Sequence, residues 1–142
     1  MNVKAKAKHA LNTARDLTIR SIEAIPVVIP LTRPIKWARG RIDSADNVII
    51  VVTLSNGVQG IADAPPRTTI YGDTQQSLLA IVTRHLGPAL TGVNAFDMLS
   101  VRTALDAVAG NIVAKSALDM AICDAQAKTL GITCAELLGG TL

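Results

Sequence analysis

At 142 residues and 14.9 kDa the chain has the length of one domain, and 49% hydrophobic against 18% charged residues excludes an intrinsically disordered polypeptide. The mean hydropathy is +0.37, yet the longest apolar runs are five residues, as at 48–52, so no membrane span is implied. The net charge of +3 is uneven: residues 1–41 hold nine Lys/Arg and two acids, while 42–142 hold five and nine. Only Trp37, Tyr71 and Phe96 are aromatic, too few for a stacking platform, which makes nucleic acid a poor partner.

In chain order, residues 1–16 stand apart as a basic, flexible extension in which Lys4, Lys6 and Lys8 alternate with small apolar residues. A frayed or expression-derived tail, a basic arm for anionic surfaces and a transit peptide all fit; scarce Arg and Ser count against the last. No apolar segment follows the charges as in a secretory signal. With Cys123 and Cys134 lacking metal-type spacing, the chain reads as cytoplasmic, with reduced and buried thiols. Residues 17–30 predict a first strand, at a sheet edge because Pro26 and Pro30 cannot donate to a ladder. Residues 31–45 predict a long cationic loop. Residues 47–55 predict a central, covered strand and 58–64 a third. Asn56–Gly57 between them predicts a type I′ turn.

Residues 65–72, bracketed by Pro65, Pro66 and Gly72, predict a second loop. Helical spacing follows, with Asp73 as N-cap, an apolar face that includes Leu78, Val82, His85 and Leu86, and Gly87–Pro88 as the stop. Asn94 is the next expected N-cap and Gly110 the next stop. A third helix is expected over 111–130, with Ala114, Ala117, Ala121 and Ala125 spaced for close approach of another backbone. Gly131 is its expected C′ residue, and Thr133-x-x-Glu136 opens a last turn. Strands before helices give an α+β fold: a three-stranded antiparallel β-meander followed by a three- to four-helix layer.

Chemical motifs are sparse. There is no phosphate loop and no G-x-G-x-x-G. His9 and His85 lack partners, His85 reading as a capping or packing residue. Asp119 and Asp124, five apart, do not converge on a metal, and Lys115 with Asp119 is spaced for a helical ion pair. Cys123 reads as a small buried hydrophobe.

Residues 111–140, NIVAKSALDMAICDAQAKTLGITCAELLGG, resemble the helix-plus-LLGG signature that ends the N-terminal domain of the mandelate racemase/muconate lactonizing enzymes of the enolase superfamily. AKSALDMAICDAQAK carries most of the likeness. The Asn56–Gly57 hairpin and GIADAPPRTTIYGDT agree with it, and Pro66–Arg67 with Ile70–Tyr71–Gly72 lean toward the muconate-lactonizing side. Asp63 stands where relatives carry Glu, and Cys123 where they carry an aromatic.

The resemblance implies a capping domain over residues 17–140, with 141–142 at the start of a barrel domain that this chain lacks. That barrel supplies the Lys bases and acidic Mg²⁺ ligands, so no catalytic or metal-binding residue carries over and the isolated chain is expected to be inactive. The parent enzyme forms an enolate of a small carboxylate substrate beside Mg²⁺. Residues 31–45 and 65–72 correspond to the loops that close over the substrate. Trp37 is expected as an apolar wall, Arg33, Lys36, Arg39, Arg41 and Arg67 as groups drawing in an anion, and Tyr71 as a ring with a hydroxyl; solvated charges and packing anchors are the competing readings. Exposed apolar surface implies barrel contact or self-association. Two alternatives from other classes stand beside this: a free-standing binding module with a basic arm, and a domain that oligomerises through its Ala-rich helix.

Overall fold

The computed structural model describes residues 17–38 and 40–140; the expectations for residues 1–16, Arg39 and 141–142 lie outside them. Three antiparallel strands, β1 (Ile19–Trp37), β2 (Gly40–Leu54) and β3 (Gln59–Ala64), form a meander in the order β1-β2-β3. β2 is central and alternates strictly, with Val48, Ile50, Val52 and Leu54 fully buried on one face. Its other face is only half-covered, and Ile25 and Ile61 beside it are exposed, so the expected burial on both sides does not occur. The prolines of β1 sit on an edge strand, as expected.

The β2–β3 connection is a three-residue loop rather than the expected type I′ turn. Asn111 is the one non-glycine residue with positive φ among the described residues, so Asn56 cannot supply a primed turn. Instead Gly57 N–H donates to Leu54 O, Leu54 N–H to Val58 O, and Gly57 takes the left-handed position at φ 85°.

The helical layer starts with α1 (Gln75–Ile81), which runs through a π-helical turn (Val82–Leu86) into α2 (Gly87–Leu90). Gly87–Pro88 therefore widens the helix instead of stopping it. Gly87 N–H reaches back five residues to Val82 O, and a Cβ at Gly87 would lie 2.7 Å from that oxygen. Thr74, not Asp73, is the N-cap, in a reciprocal box with Ser77. Leu78, Val82, Leu86 and Leu90 are buried, while His85 is exposed rather than part of that apolar face.

α3 (Met98–Asp106) is capped by Asp97 rather than Asn94, whose side-chain oxygen instead accepts from Phe96 N–H. Hydrogen bonds from the Ser100 hydroxyl and amide hold the Asp97 carboxyl below the usual carboxylate range. α4 (Ile112–Leu130) ends at Gly131, φ 69°, with Ile132 N–H donating to Ala127 O. Buried Gln126 ties it to the α3 entry by donating to Ala95 O at 2.5 Å. α5 (Cys134–Leu137) has the expected Thr133–Glu136 capping box, whose Thr133 donors hold the Glu136 carboxyl below its ordinary value. Cys134 is exposed and Cys123 half-buried, so the expected burial of both thiols fails; burial pushes the Cys123 thiol up. Lys115 pairs with Asp106 at 3.9 Å instead of with Asp119.

The alanine stripe of α4 is occupied by this chain's own sheet. Ala114, Ala117, Ala121 and Ala125 are fully buried, and Gly60 of β3 lies so close that a Cβ there would collide with Ala121 O and sit 2.5 Å from Ala125 N. An oligomer interface through that stripe is thereby ruled out. β3 is an edge strand, yet two of its outward groups find partners: Ile61 N–H donates to Asp124 Oδ2 at 2.8 Å, and Lys128 Nζ donates to Gln59 O at 3.0 Å. Asp124 and Lys128 pair with each other at 2.7 Å. Gly60→Ala is expected to lower unfolding stability by about 1–3 kcal/mol, the cost of overpacking a rigid backbone contact, while Gly92→Ala, which adds a Cβ in open space, tests positive-φ strain alone. Urea unfolding of both variants checks this; a Gly60→Ala midpoint equal to that of the parent would contradict the close packing.

Candidate functional site

Residues 31–45 do not form the expected loop. β1 and β2 continue past the third strand as a two-stranded ribbon whose last pair is Trp37↔Gly40. β3 ends with Ala64 opposite Val48, so everything beyond Asn47 lacks a third strand. Pro30, Pro34 and Gly40 hide this extension in the sequence. The ladder absorbs two of them by a register break in which 31–34 face Asp43 alone, Pro30 pairing with Ser44 and Ile35 with Ile42.

The ribbon and the segment 65–76 enclose a cleft of about 500 Å³. Trp37, Arg41, Ile42, Asp43, Ser44 and Asp46 line one side; Pro66, Arg67, Thr68, Thr69, Thr74, Gln75 and Gln76 line the other. The second side is shaped by a turn in which Ile70 and Tyr71 N–H groups both donate to Arg67 O, and by Thr68 Oγ1 donating to Asp73 O. The Thr74–Ser77 box then starts α1.

Trp37 crosses the ribbon end, where a Cβ on Gly40 would sit 2.8 Å from its Cε2. Trp37 is 45% exposed, leaving it available to a ligand. Arg41 is held by Asp43 through Nε at 2.7 Å and Nη2 at 2.5 Å, an exposed pair worth little to stability that nonetheless cancels its charge locally. Arg67 donates Nη1 to Pro66 O at 2.8 Å and has no carboxylate partner among the described residues. The cleft thus offers a guanidinium without a direct ion-pair partner and an indole, in a lining where Arg41 and Arg67 are matched in number by Asp43 and Asp46.

Of the sequence-predicted residues, Trp37, Arg41 and Arg67 meet at the cleft, whereas Arg33, Lys36 and Tyr71 do not line it. Arg33 lies in the register break, Lys36 pairs across the ladder with Arg41, and Tyr71 is exposed at the turn. Arg39 is outside the described residues. Sequence reading missed Asp43, Ser44, Asp46 and the Thr74–Gln76 turn. In the strand Ser44 and Asp46 share the parity of the buried positions 48, 50, 52 and 54, a period that the unbroken apolar run at 48–52 hides in the sequence. Among the described residues no three of His, Cys, Asp and Glu come together, so none of these fits a Mg²⁺ ligand set.

A meander capped by a helical layer, with a cleft lined by Trp37 and Arg67 at one end of the sheet, matches a known class of domain. The family model of the mandelate racemase / muconate lactonizing enzyme N-terminal domain matches residues 19–139, and the chain belongs to that family. Muconate cycloisomerase 1 of Pseudomonas putida is 40% identical over 130 residues, spanning 86% of this chain and 34% of that protein. L-Ala-D/L-Glu epimerase of Bacillus subtilis is 32% identical over 125 residues, spanning 87% and 34%. The muconate lactonizing enzyme of Pseudomonas fluorescens, solved with muconolactone, superposes with a TM-score of 0.84 at 30% identity, spanning 89% and 35%. The chain spans about a third of the length of the curated relatives it matches.

Trp37 is the single tryptophan of the chain and so reports on the cleft alone. Gly40→Ala is expected to displace the indole and shift its emission while leaving the unfolding midpoint within about 0.5 kcal/mol of the parent, because the ribbon end contributes nothing to the core. Unchanged emission would place the ring elsewhere.

Proposed function

We propose that this chain is the substrate-capping domain of a cytoplasmic, Mg²⁺-dependent enzyme of the mandelate racemase/muconate lactonizing type: a racemase, epimerase, cycloisomerase or dehydratase acting on a small carboxylate through its enolate. The observation that carries this reading is the convergence of the ribbon and the segment 65–76 on one cleft holding Trp37 and the unpaired Arg67. Relatives named as muconate cycloisomerases and epimerases support it.

In this reading Mg²⁺ supplies enolate stabilisation from ligands outside the described residues. This chain's own part is to bind and to exclude water. Arg67 attracts the anion and Trp37 covers its apolar part. The domain meets a barrel, or a second copy when alone, through apolar side chains that stay exposed here, among them Leu99, Ile112 and Leu138. Among the described residues no helix is long and apolar enough to cross a membrane.

The purified 142-residue chain is expected to show no Mg²⁺-dependent α-proton exchange with dipeptides and no muconate turnover above a protein-free control. Replacing the matching part of the Pseudomonas putida muconate cycloisomerase 1 with residues 19–139 then supplies a catalytic context. In that chimera Arg67→Ala is expected to raise KM about tenfold with kcat little changed, the loss of one charge-assisted contact at about 1.4 kcal/mol. Exchange by the isolated chain, or an unchanged KM, would overturn the proposal.

A further inference from the structure

We propose that Gln75 is a positioning residue whose side-chain amide latches the ribbon to the segment 65–81, so that the two sides of the cleft keep one spacing. Its meaning for catalysis rests on the capping reading above; the latch itself is a property of this chain.

Gln75 is the first residue of α1 and half-buried. Its Nε2 donates to Val27 O at 3.1 Å and to Asn47 O at 2.9 Å. Val27 and Asn47 are partners across the ribbon, and Asn47 is the first β2 residue beyond the reach of β3. One side chain thus grips both strands where the sheet narrows from three strands to two. Among the described residues these are the two hydrogen bonds that join segment 65–81 to β1 and β2.

The geometry needs a donor with two protons on one atom. Two carbonyl oxygens converge on the site, so only the NH₂ edge of the amide can face them. The Thr74–Ser77 box fixes the backbone on which Gln75 sits, and Gln75 also lines the cleft. Beyond the latch the ribbon has no core of its own: Val28, Ile29 and Ile35 are exposed. A bare two-stranded ribbon is marginal in water, so its ordering depends on such anchors.

The test uses amide hydrogen exchange and Trp37 emission on the 142-residue chain and its Gln75→Ala and Gln75→Glu variants. In Gln75→Ala, protection factors over 28–46 are expected to fall about tenfold, the scale of losing two neutral hydrogen bonds, with those of 48–54 within about twofold of the parent. Trp37 emission shifts with them. Gln75→Glu behaves likewise at neutral pH, because a carboxylate presents only acceptors to two carbonyls. Those carbonyls raise its pKa, and as the pH falls through that value the neutral acid donates one hydrogen bond and ribbon protection recovers. The charged groups around the site are Arg41, Asp43 and Asp46 of the ribbon, Arg67 and Asp73 of the segment, and Asp63, bound to Asn47. Titrating the parent and Gln75→Ala over the same range separates their contribution. Unchanged protection over 28–46, an equal loss over 48–54, or no acid recovery in Gln75→Glu overturns the latch. A failed KM shift in the Arg67→Ala chimera overturns the capping role instead and leaves the exchange result standing.

Discussion

The domain depends on a backbone-to-backbone contact between β3 and α4. Gly60 removes the side chain that would separate them, and Ala121 and Ala125 remove the bulk from the helix side. Once the two backbones are that close, the open edge of a six-residue strand needs partners that a helix backbone cannot give. Asp124 accepts from Ile61 N–H and Lys128 donates to Gln59 O, one residue supplying each missing polarity. An exposed ion pair four residues apart on a helix ordinarily contributes a few tenths of a kcal/mol. Here each member of the pair also holds one backbone group of β3, Ile61 N–H and Gln59 O. The Ala-x-x-Asp-Ala-x-x-Lys pattern over 121–128 is in this sense a device for closing a short edge strand.

Two mechanical regimes follow. Below Val48 the sheet has three strands, alternating burial and a helix across its face. Above it a ribbon stands without a hydrophobic interior, gripped at its root and finished by a tryptophan lying over a glycine. The cleft lies between this projecting part and a turn that is itself tied down at Arg67 O and by the Thr74 cap. The core thus forms a floor under two walls that contribute little to it, and a change in either wall costs little core packing.

The elements whose signals are local could be read directly: the apolar central strand at 47–55, the Thr133–Glu136 box, the Gly131 stop and the strand-before-helix order. The failures each involve a residue serving two structural purposes. Asn56–Gly57 suits a primed turn, but one extra loop residue, Ser55, lets Gly57 alone take the left-handed position. Gly87–Pro88 suits a helix end, but a single i→i−5 bond carries the helix past it. Asp73 and Thr74 are both good caps, and only the reciprocal serine at Ser77 decides between them. At the cleft, Trp37 and Arg67 were legible because bulky or charged residues stand out in a loop. Gln75 was not, since its two acceptors lie 28 and 48 positions away in the chain.

Among the described residues, no buried hydrophobic side chain comes from 28–46. Mutational drift in that stretch therefore meets almost no resistance from folding, while the floor beneath it, with its glycine and alanines in backbone contact, admits almost none. The walls of the cleft can therefore be rewritten at little cost to folding, while the core that carries them cannot.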